Sequence, residues 1–464
     1  MSSVSPSPSS SPGPPAVGAE PSLWSNVALL STLYFSQGLP FGFFTQALPV
    51  WMRQAGVDLA VIGLSSLLAL PWGLKFLWAP VVDRFGGSAL GRRRGWILPL
   101  QAASIVAIGV LALIGDRALA SMATKEQLVV ALAVGMFVTN LIAATQDIAT
   151  DGFAIDLLPP AERGLGNGVQ VAAYRVGMVV GGGALLVVLG RLGWLAAFST
   201  MSVLLVLASI PIFRHVERPP AAAATGTTTG STTLDTMTEP VTLAAALQFL
   251  RRGGGTMLVW CCALGFYKFG DGFGSAMVRP FLVDRGVTTE QIGTLVGTAG
   301  SVAGMVGALL GGWFARHGRL RALLVAGLVH AALMAGYALA VGNSLAGAEG
   351  GALGIDLGAE GGIGLVAVLL VAEHVTGGMA TVALFTAMMD ACDRRTGATD
   401  YTVQASVVVF ASGIGSSLSG FVARAAGYGG HFVLAGVLCV VGTMVMLPLY
   451  RRGIAPTDPT RAAS

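Results

Sequence analysis

Residues 127–157 read QLVVALAVGMFVTNLIAATQDIATDGFAIDL, an apolar run whose charged side chains are Asp147, Asp151 and Asp156. A helix rises about 1.5 Å per residue, so roughly 20 apolar residues cross a bilayer and this run is long enough. Acids kept inside such a run cost free energy unless they are paired or meet water, so they mark a helix that faces a protein interior. Similar runs precede and follow it. Together the spans lie near Val27–Val50, Val61–Ala79, Trp96–Gly115, Gln127–Leu157, Gly166–Leu189, Trp194–Phe213, Thr256–Leu282, Glu290–Arg316, Ala322–Val341, Gly362–Ala391, Tyr401–Arg424 and His431–Tyr450. The expected fold is all-α, a membrane protein of twelve transmembrane helices.

Composition narrows the function. Of 464 residues, 54% are hydrophobic and 11% are charged, and mean hydropathy is +0.74. Soluble proteins carry about 25% charged residues, which excludes a soluble enzyme and a disordered chain. The net charge of +4 does not make a nucleic-acid face, because the basic residues are mostly arginines in short loops. Seventeen basic residues fall on one set of loops and tails and six on the other, while Lys75, Arg175, Lys268 and Arg279 lie inside spans. That bias places the richer loops and both termini in the cytoplasm. No lysine completes GxxxxGK[ST], and neither HExxH nor GxSxG occurs, so a P-loop ATPase and an enzyme are not expected. No cofactor or metal is expected either. Cys261, Cys262, Cys392 and Cys439 form no CxxC pair and read as buried, inert thiols.

The chain divides readily. Residues 1–26 read as a disordered cytoplasmic tail, and 214–255, with the stretch AAAATGTTTGSTT, as a flexible cytoplasmic linker. On either side lie two pseudo-symmetric six-helix bundles, 27–213 and 256–450, followed by a second tail at 451–464. The halves look related. Gly56-Val57 and Ile62-Gly63 recur as Gly286-Val287 and Ile292-Gly293, and Phe41-Gly42 with Pro49 is echoed by Phe273-Gly274 with Pro280. Small-residue spacing predicts close helix packing at Gly177/Gly181, Gly300/Gly304 and Gly307/Gly311.

Three sets of residues carry chemistry. Asp83, Arg84, Arg92, Arg93 and Arg94 follow the second span. Asp83 suits a helix N-terminus across the bundle, and the arginines suit Asp156 or Glu162, which would make a conformational latch. A plain positive-inside anchor is the other reading. Asp147 and Asp151 share a helix face, and Arg175 lies at similar depth on the next span, about 13–16 Å from the cytoplasmic ends. They suit proton or substrate coupling, or else a structural salt bridge. The second half places Lys268 and Asp271 in a glycine-rich stretch and Glu373-His374 at mid-span, a plausible proton relay or a self-satisfied pair. His330 reads as helix packing, and Lys75 as a lysine that snorkels from the inner end of its span. Tyr34, Gln37, Gln46, Gln146 and Tyr174 read as cavity-lining polar groups near a helix break, with a packing kink as the alternative.

These residues carry a resemblance. The six-plus-six plan and the loop APVVDRFG (79–86) with GRRRG (91–95) resemble the major facilitator superfamily and its G-x-x-x-D-R-x-G-R-R signature, with some residues displaced. QGLP (37–40), KFLWAP (75–80), TQDIATDG (145–152) through ERG (162–164), YRVGM (174–178), DRR (393–395) and ATDYTVQAS (398–406) resemble its AmpG-like branch. That branch includes muropeptide permeases, acetyl-CoA transporters and siderophore permeases. Gly152 and MMDAC (388–392) are more similar to siderophore permeases of the RhtX/FptX type, since muropeptide permeases tend to carry an aromatic residue in the place of Gly152. The resemblance implies a monomeric, alternating-access permease of a bacterial inner membrane, proton-coupled, importing a ferric siderophore or a similar amphipathic metabolite. Import of a muropeptide or acyl carrier is the alternative. A membrane sensor or intramembrane enzyme on the same fold is disfavoured, because neither a signalling domain nor a catalytic motif is present. Asp147 and Asp151 match the family's paired acids and Arg175 its YR motif, while Glu373-His374 matches none.

Overall fold

The computed structural model describes residues 23–47, 70–85, 90–120, 125–217, 243–285, 287, 293–345, 359–393 and 395–451. Residues 1–22 and 452–464 of the tails, the centre of the linker, the echoed residues Gly56-Val57 and Ile62-Gly63, and the side chain of Gln46 lie outside them, whereas residues 23–26 of the expected tail and 243–251 of the expected linker are helical. The elements are helices: α1 Leu23–Gly42, α2 Leu70–Leu74, α3 Ala79–Arg84, α4 Arg94–Ala120, α5 Lys125–Leu157, α6 Arg163–Val179 and α7 Leu185–Arg214. There follow α8 Leu243–Arg251, α9 Thr256–Ser275, α10 Val278–Asp284, α11 Gly300–Arg316, α12 Arg319–Leu345, α13 Ala359–Asp390 and α14 Gly397–Arg451.

Six helical stretches among the described residues are long and apolar enough to cross a membrane. Two of them, Arg163–Arg214 and Gly397–Leu449, are 52 and 53 residues long. Each is broken where a glycine takes a left-handed conformation, Gly193 at φ 84° and Gly427 at φ 68°. A side chain there would strain the backbone, so glycine turns the chain between two arms. The breaks fall between the expected spans on either side. Large apolar side chains such as Val106, Leu192, Phe213 and Val437 point outward, as lipid-facing surface must.

The second span is described from Leu70, and it does not run straight. Helix α2 tightens into a 3₁₀ turn at Lys75–Leu77 before α3 begins, with Pro80 in the first turn of α3, where its missing N–H costs nothing. This break turns Lys75 inward to 4% exposure.

Glycines set how closely the helices meet. A Cβ at Gly38 would lie 2.1 Å from the Tyr174 carbonyl oxygen, and one at Gly181 2.0 Å from that of Leu39, so α1 and the α6 segment touch backbone to backbone. Helices α11 and α13 meet likewise at Gly307 and Gly311. Between the halves, α6 and α11 cross where Gly168 and Gly312 face each other. Gly42→Val is expected to destabilise by about 1–3 kcal/mol or more, because its Cβ falls 2.3 Å from the Met178 carbonyl oxygen. Gly183→Ala, with nothing within 4 Å, should leave the unfolding temperature in detergent unchanged. Equal melting of the two variants would contradict this packing.

The thiols differ from expectation in one respect. Cys261 and Cys439 are buried, but Cys262 is exposed and Cys392 half-buried.

Candidate functional site

Ion pairs and hydrogen bonds link the two halves of the chain at the arginine-rich end of the molecule. Arg93 is fully buried, with Nη1 donating to Asp83 at 2.9 Å and Nε to Asp156 at 2.9 Å. Gly152 makes room for it, since a Cβ there would lie 2.6 Å from the guanidinium carbon. Burial works against the Arg93 charge, yet the carboxylates of Asp83 and Asp156 outweigh it and hold the guanidinium above its ordinary pKa. The other oxygen of Asp83 accepts from the Thr399 N–H and hydroxyl, each at 2.7 Å, at the N-terminus of α14. An anion there is stabilised by the unpaired N–H groups of the first turn. Arg92 lies 3.4 Å from Asp83 and donates to the Arg395 carbonyl at 2.6 Å.

Two arginine expectations need correction. Arg94 pairs with no latch acid; it donates to the Ile212 and Phe213 carbonyls and closes the C-terminus of α7. Glu162 stands at the start of α6 without an ion pair among the described residues, so Asp156 is the acid that Arg93 selects. Arg84 ends α3 at the rim of the same cluster.

Partners distant in sequence complete the gate. Glu217, just beyond α7, accepts from the backbone N–H groups of Arg93 and Arg94 at 3.0–3.1 Å. Arg163 donates to Asp390 at 2.9 Å, and Arg319 Nε lies 2.7 Å from the other oxygen of that carboxylate. Arg252 donates to Asp400 at 2.7 Å. Asp83 to Thr399 and Arg163 to Asp390 join the two halves of the chain. No local spacing signals such pairs, which are 316 and 227 residues apart.

A second cluster is buried in the first half. Lys75 bonds to Asp147 and lies 3.7 Å from Asp151, while the Tyr34 hydroxyl donates to Asp151 at 2.8 Å. The Trp72 ring sits 5.8 Å from the ammonium. Lys75 therefore does not snorkel, and Arg175 is not the counter-ion of Asp147 and Asp151. Gln146 donates to Gln101 at 2.5 Å, Gln37 is 2% exposed, and Tyr174 packs against Phe41. Tyr34, Gln37, Gln146 and Tyr174 thus sit within the packed interior and none lines the polar cavity.

That cavity, of about 270 Å³, is lined by Arg175 from the first half and by Asp271, Arg279, His330, Glu373 and His374 from the second. Arg175 reaches it because α11 offers no side chain at Gly304, where a Cβ would fall 1.8 Å from Nη1. It forms no ion pair among the described residues. Lys268 bonds to Asp271. The Tyr337 hydroxyl donates to Glu373 at 3.0 Å. His374 Nδ1 lies 2.9 Å from the Leu370 carbonyl and must carry the proton to bond there. His330, expected as packing, instead faces Asp271 across 3.4 Å. Sequence depth placed Glu373 and His374 at mid-span, but their convergence with Asp271 and Arg175 needed the fold. Among the described residues no group of three His, Cys, Asp or Glu side chains is arranged to hold a metal.

Known proteins place this geometry. The family model for acetyl-coenzyme A transporter 1 matches residues 26–188. The anhydromuropeptide permease of Escherichia coli K12 is 30% identical over 430 residues, covering 90% of this chain and 79% of that protein. Among solved structures, the fucose:proton symporter of Escherichia coli superposes with a TM-score of 0.63 at 14% identity, over 92% of this chain and 98% of that one. A bacterial homologue of the iron transporter ferroportin, in an outward-facing state, gives 0.64 at 13% identity, over 92% and 99%. Similarity to these two structures speaks to fold, whereas the permease identity speaks to family. The chain belongs to the AmpG-like branch of the major facilitator superfamily and is a multi-pass membrane transporter.

Proposed function

We propose that the chain is a proton-coupled importer of anionic, amphipathic sugar-peptides of the anhydromuropeptide class, working by alternating access as a monomer in a bacterial inner membrane. In this reading twelve helices cross the bilayer in two six-helix bundles, 27–213 and 256–450, with the linker and both tails cytoplasmic. The arginine-rich gate then lies on the cytoplasmic side. One observation carries the reading: a polar cavity holds a cation from one half against charged groups of the other, while the gate is fastened. Arg175, without an ion-pair partner among the described residues, is the group for a substrate carboxylate. Asp147 and Asp151 share the single cation Lys75, an arrangement one negative charge in excess that a proton would neutralise and loosen. Asp271 with Lys268, and Glu373 with His374, serve the cavity itself.

The siderophore expectation, to which a muropeptide was the alternative, rested on Gly152 and on MMDAC. Gly152 houses the Arg93 guanidinium and Asp390 pairs with Arg163 and Arg319, so both features belong to the gate and carry no information about cargo.

The test is uptake of a labelled anhydromuropeptide by inverted-free, right-side-out vesicles under an imposed inward proton gradient. The wild-type chain should accumulate it and lose that accumulation when an uncoupler is added. Loss of a charge-assisted hydrogen bond costs about 1.5–3 kcal/mol, so Arg175→Gln should weaken apparent affinity by roughly 10- to 100-fold. Uptake of a ferric siderophore instead, with none of the muropeptide, would reverse the substrate assignment.

A further inference from the structure

We propose that His330 is the proton-binding residue of the cavity, and that a proton taken there draws Asp271 away from Lys268 and frees the Lys268 ammonium for a substrate carboxylate. The proposal rests on the transporter reading above and adds the means by which proton and anion are linked.

The geometry singles out this histidine. His330 is 5% exposed, lines the cavity, and holds Nε2 3.4 Å from one oxygen of Asp271 without a completed hydrogen bond. Lys268, on the same helix as Asp271, occupies the other oxygen. Asp271 is thus shared between a permanent cation and a group that becomes one on protonation. The other candidates are already committed. Glu373 receives the Tyr337 hydroxyl from the helix that carries His330, and His374 is tied through Nδ1 to the Leu370 carbonyl.

Every charged group around His330 enters the balance. Asp271 faces it from α9 with Lys268 bonded behind it, and Arg279 from α10, Glu373 and His374 from α13, and Arg175 from α6 share the cavity. With both histidines neutral, three cations and two anions leave the cavity at +1. A proton on His330 raises it to +2, and Asp271 at 3.4 Å is the nearest group able to hold that proton. The imidazolium then donates to Asp271, Lys268 loses part of its partner, and its ammonium becomes a further cationic donor besides Arg175 and Arg279. Anion binding and proton binding favour each other by reciprocity.

The test uses the full chain in nanodiscs with ¹³C-labelled histidine. Five histidines are present, and the resonance lost in His330→Gln, and again in His330→Asn, identifies His330. That resonance should move with pH, and its pH response should differ between the wild type and Asp271→Asn. In proteoliposomes, uptake of labelled anhydromuropeptide should vary about tenfold between pH 5.5 and 7.5 for the wild type and should be flat for His330→Gln, with KM altered more than kcat. A resonance that does not move, a pH response indifferent to Asp271→Asn, or an unaltered uptake profile in both variants overturns the proposal. If the wild type takes up no muropeptide at any pH, the substrate assignment fails, and the titration alone decides the role of His330.

Discussion

Lys75→Met is expected to destabilise the protein by about 3–5 kcal/mol and to abolish uptake, the largest effect of any single substitution in the first half. The ammonium is 4% exposed and joins two carboxylates, Asp147 and Asp151, that are themselves 8% and 3% exposed. Removing it strands two acids in apolar surroundings, where neither water nor another cation among the described residues compensates them. Tyr34 remains, donating one hydrogen bond to Asp151. The diagnostic variant is the double substitution Lys75→Met with Asp147→Asn, which takes away one of the stranded charges. It should recover a measurable part of the lost unfolding temperature in detergent while uptake stays absent. If Lys75→Met melts with the wild type, the ammonium is not the buried counter-ion and the cluster must be reassigned.

The second large effect concerns the gate. Arg93→Ala removes two charge-assisted hydrogen bonds, each worth about 1.5–3 kcal/mol, from the fastened arginine-rich end. Even a net change of about 3 kcal/mol shifts a two-state equilibrium roughly 100-fold, so the closed state should lose most of its advantage. Cys392 offers a native reporter, because it is half-buried and lies two residues beyond Asp390, the acid that Arg163 holds. In a chain carrying Cys262→Ser, maleimide labelling of Cys392 from the arginine-rich side should rise at least about tenfold in Arg93→Ala. Gly152→Ala should give a smaller rise, since its methyl displaces the guanidinium without deleting it. Labelling that stays constant in both variants would separate Arg93 from the gate.

Much of this architecture is legible from periodicity and depth, and the exceptions have definite causes. Apolar length located the helices because a bilayer leaves the backbone few alternatives. Small-residue spacing located the backbone contacts of Gly181 and Gly307. Depth placed Arg175 level with Asp147 and Asp151 but carried no azimuth, so the true counter-ion was missed. Lys75 was missed because its helix tightens just there, turning toward the interior a side chain that a regular helix would leave near the rim. Glu217, Arg319 and Asp390 were missed for another reason: their partners come from remote parts of the chain, and no periodicity reports them. His330 looked apolar in context because the acid it faces sits on another helix.

The sharing of acids at the gate bears on speed. Asp83 holds Arg93 from its own half and Thr399 from the other; Asp390 holds Arg319 from its own half and Arg163 from the other. When the halves separate, each carboxylate gives up its visitor and keeps its resident. Neither acid is left bare during the motion, and the one charge that must exchange its partner for water is the Arg163 guanidinium. A gate built this way is firm at rest yet low in activation barrier, which sets how often the transporter cycles rather than which face it favours.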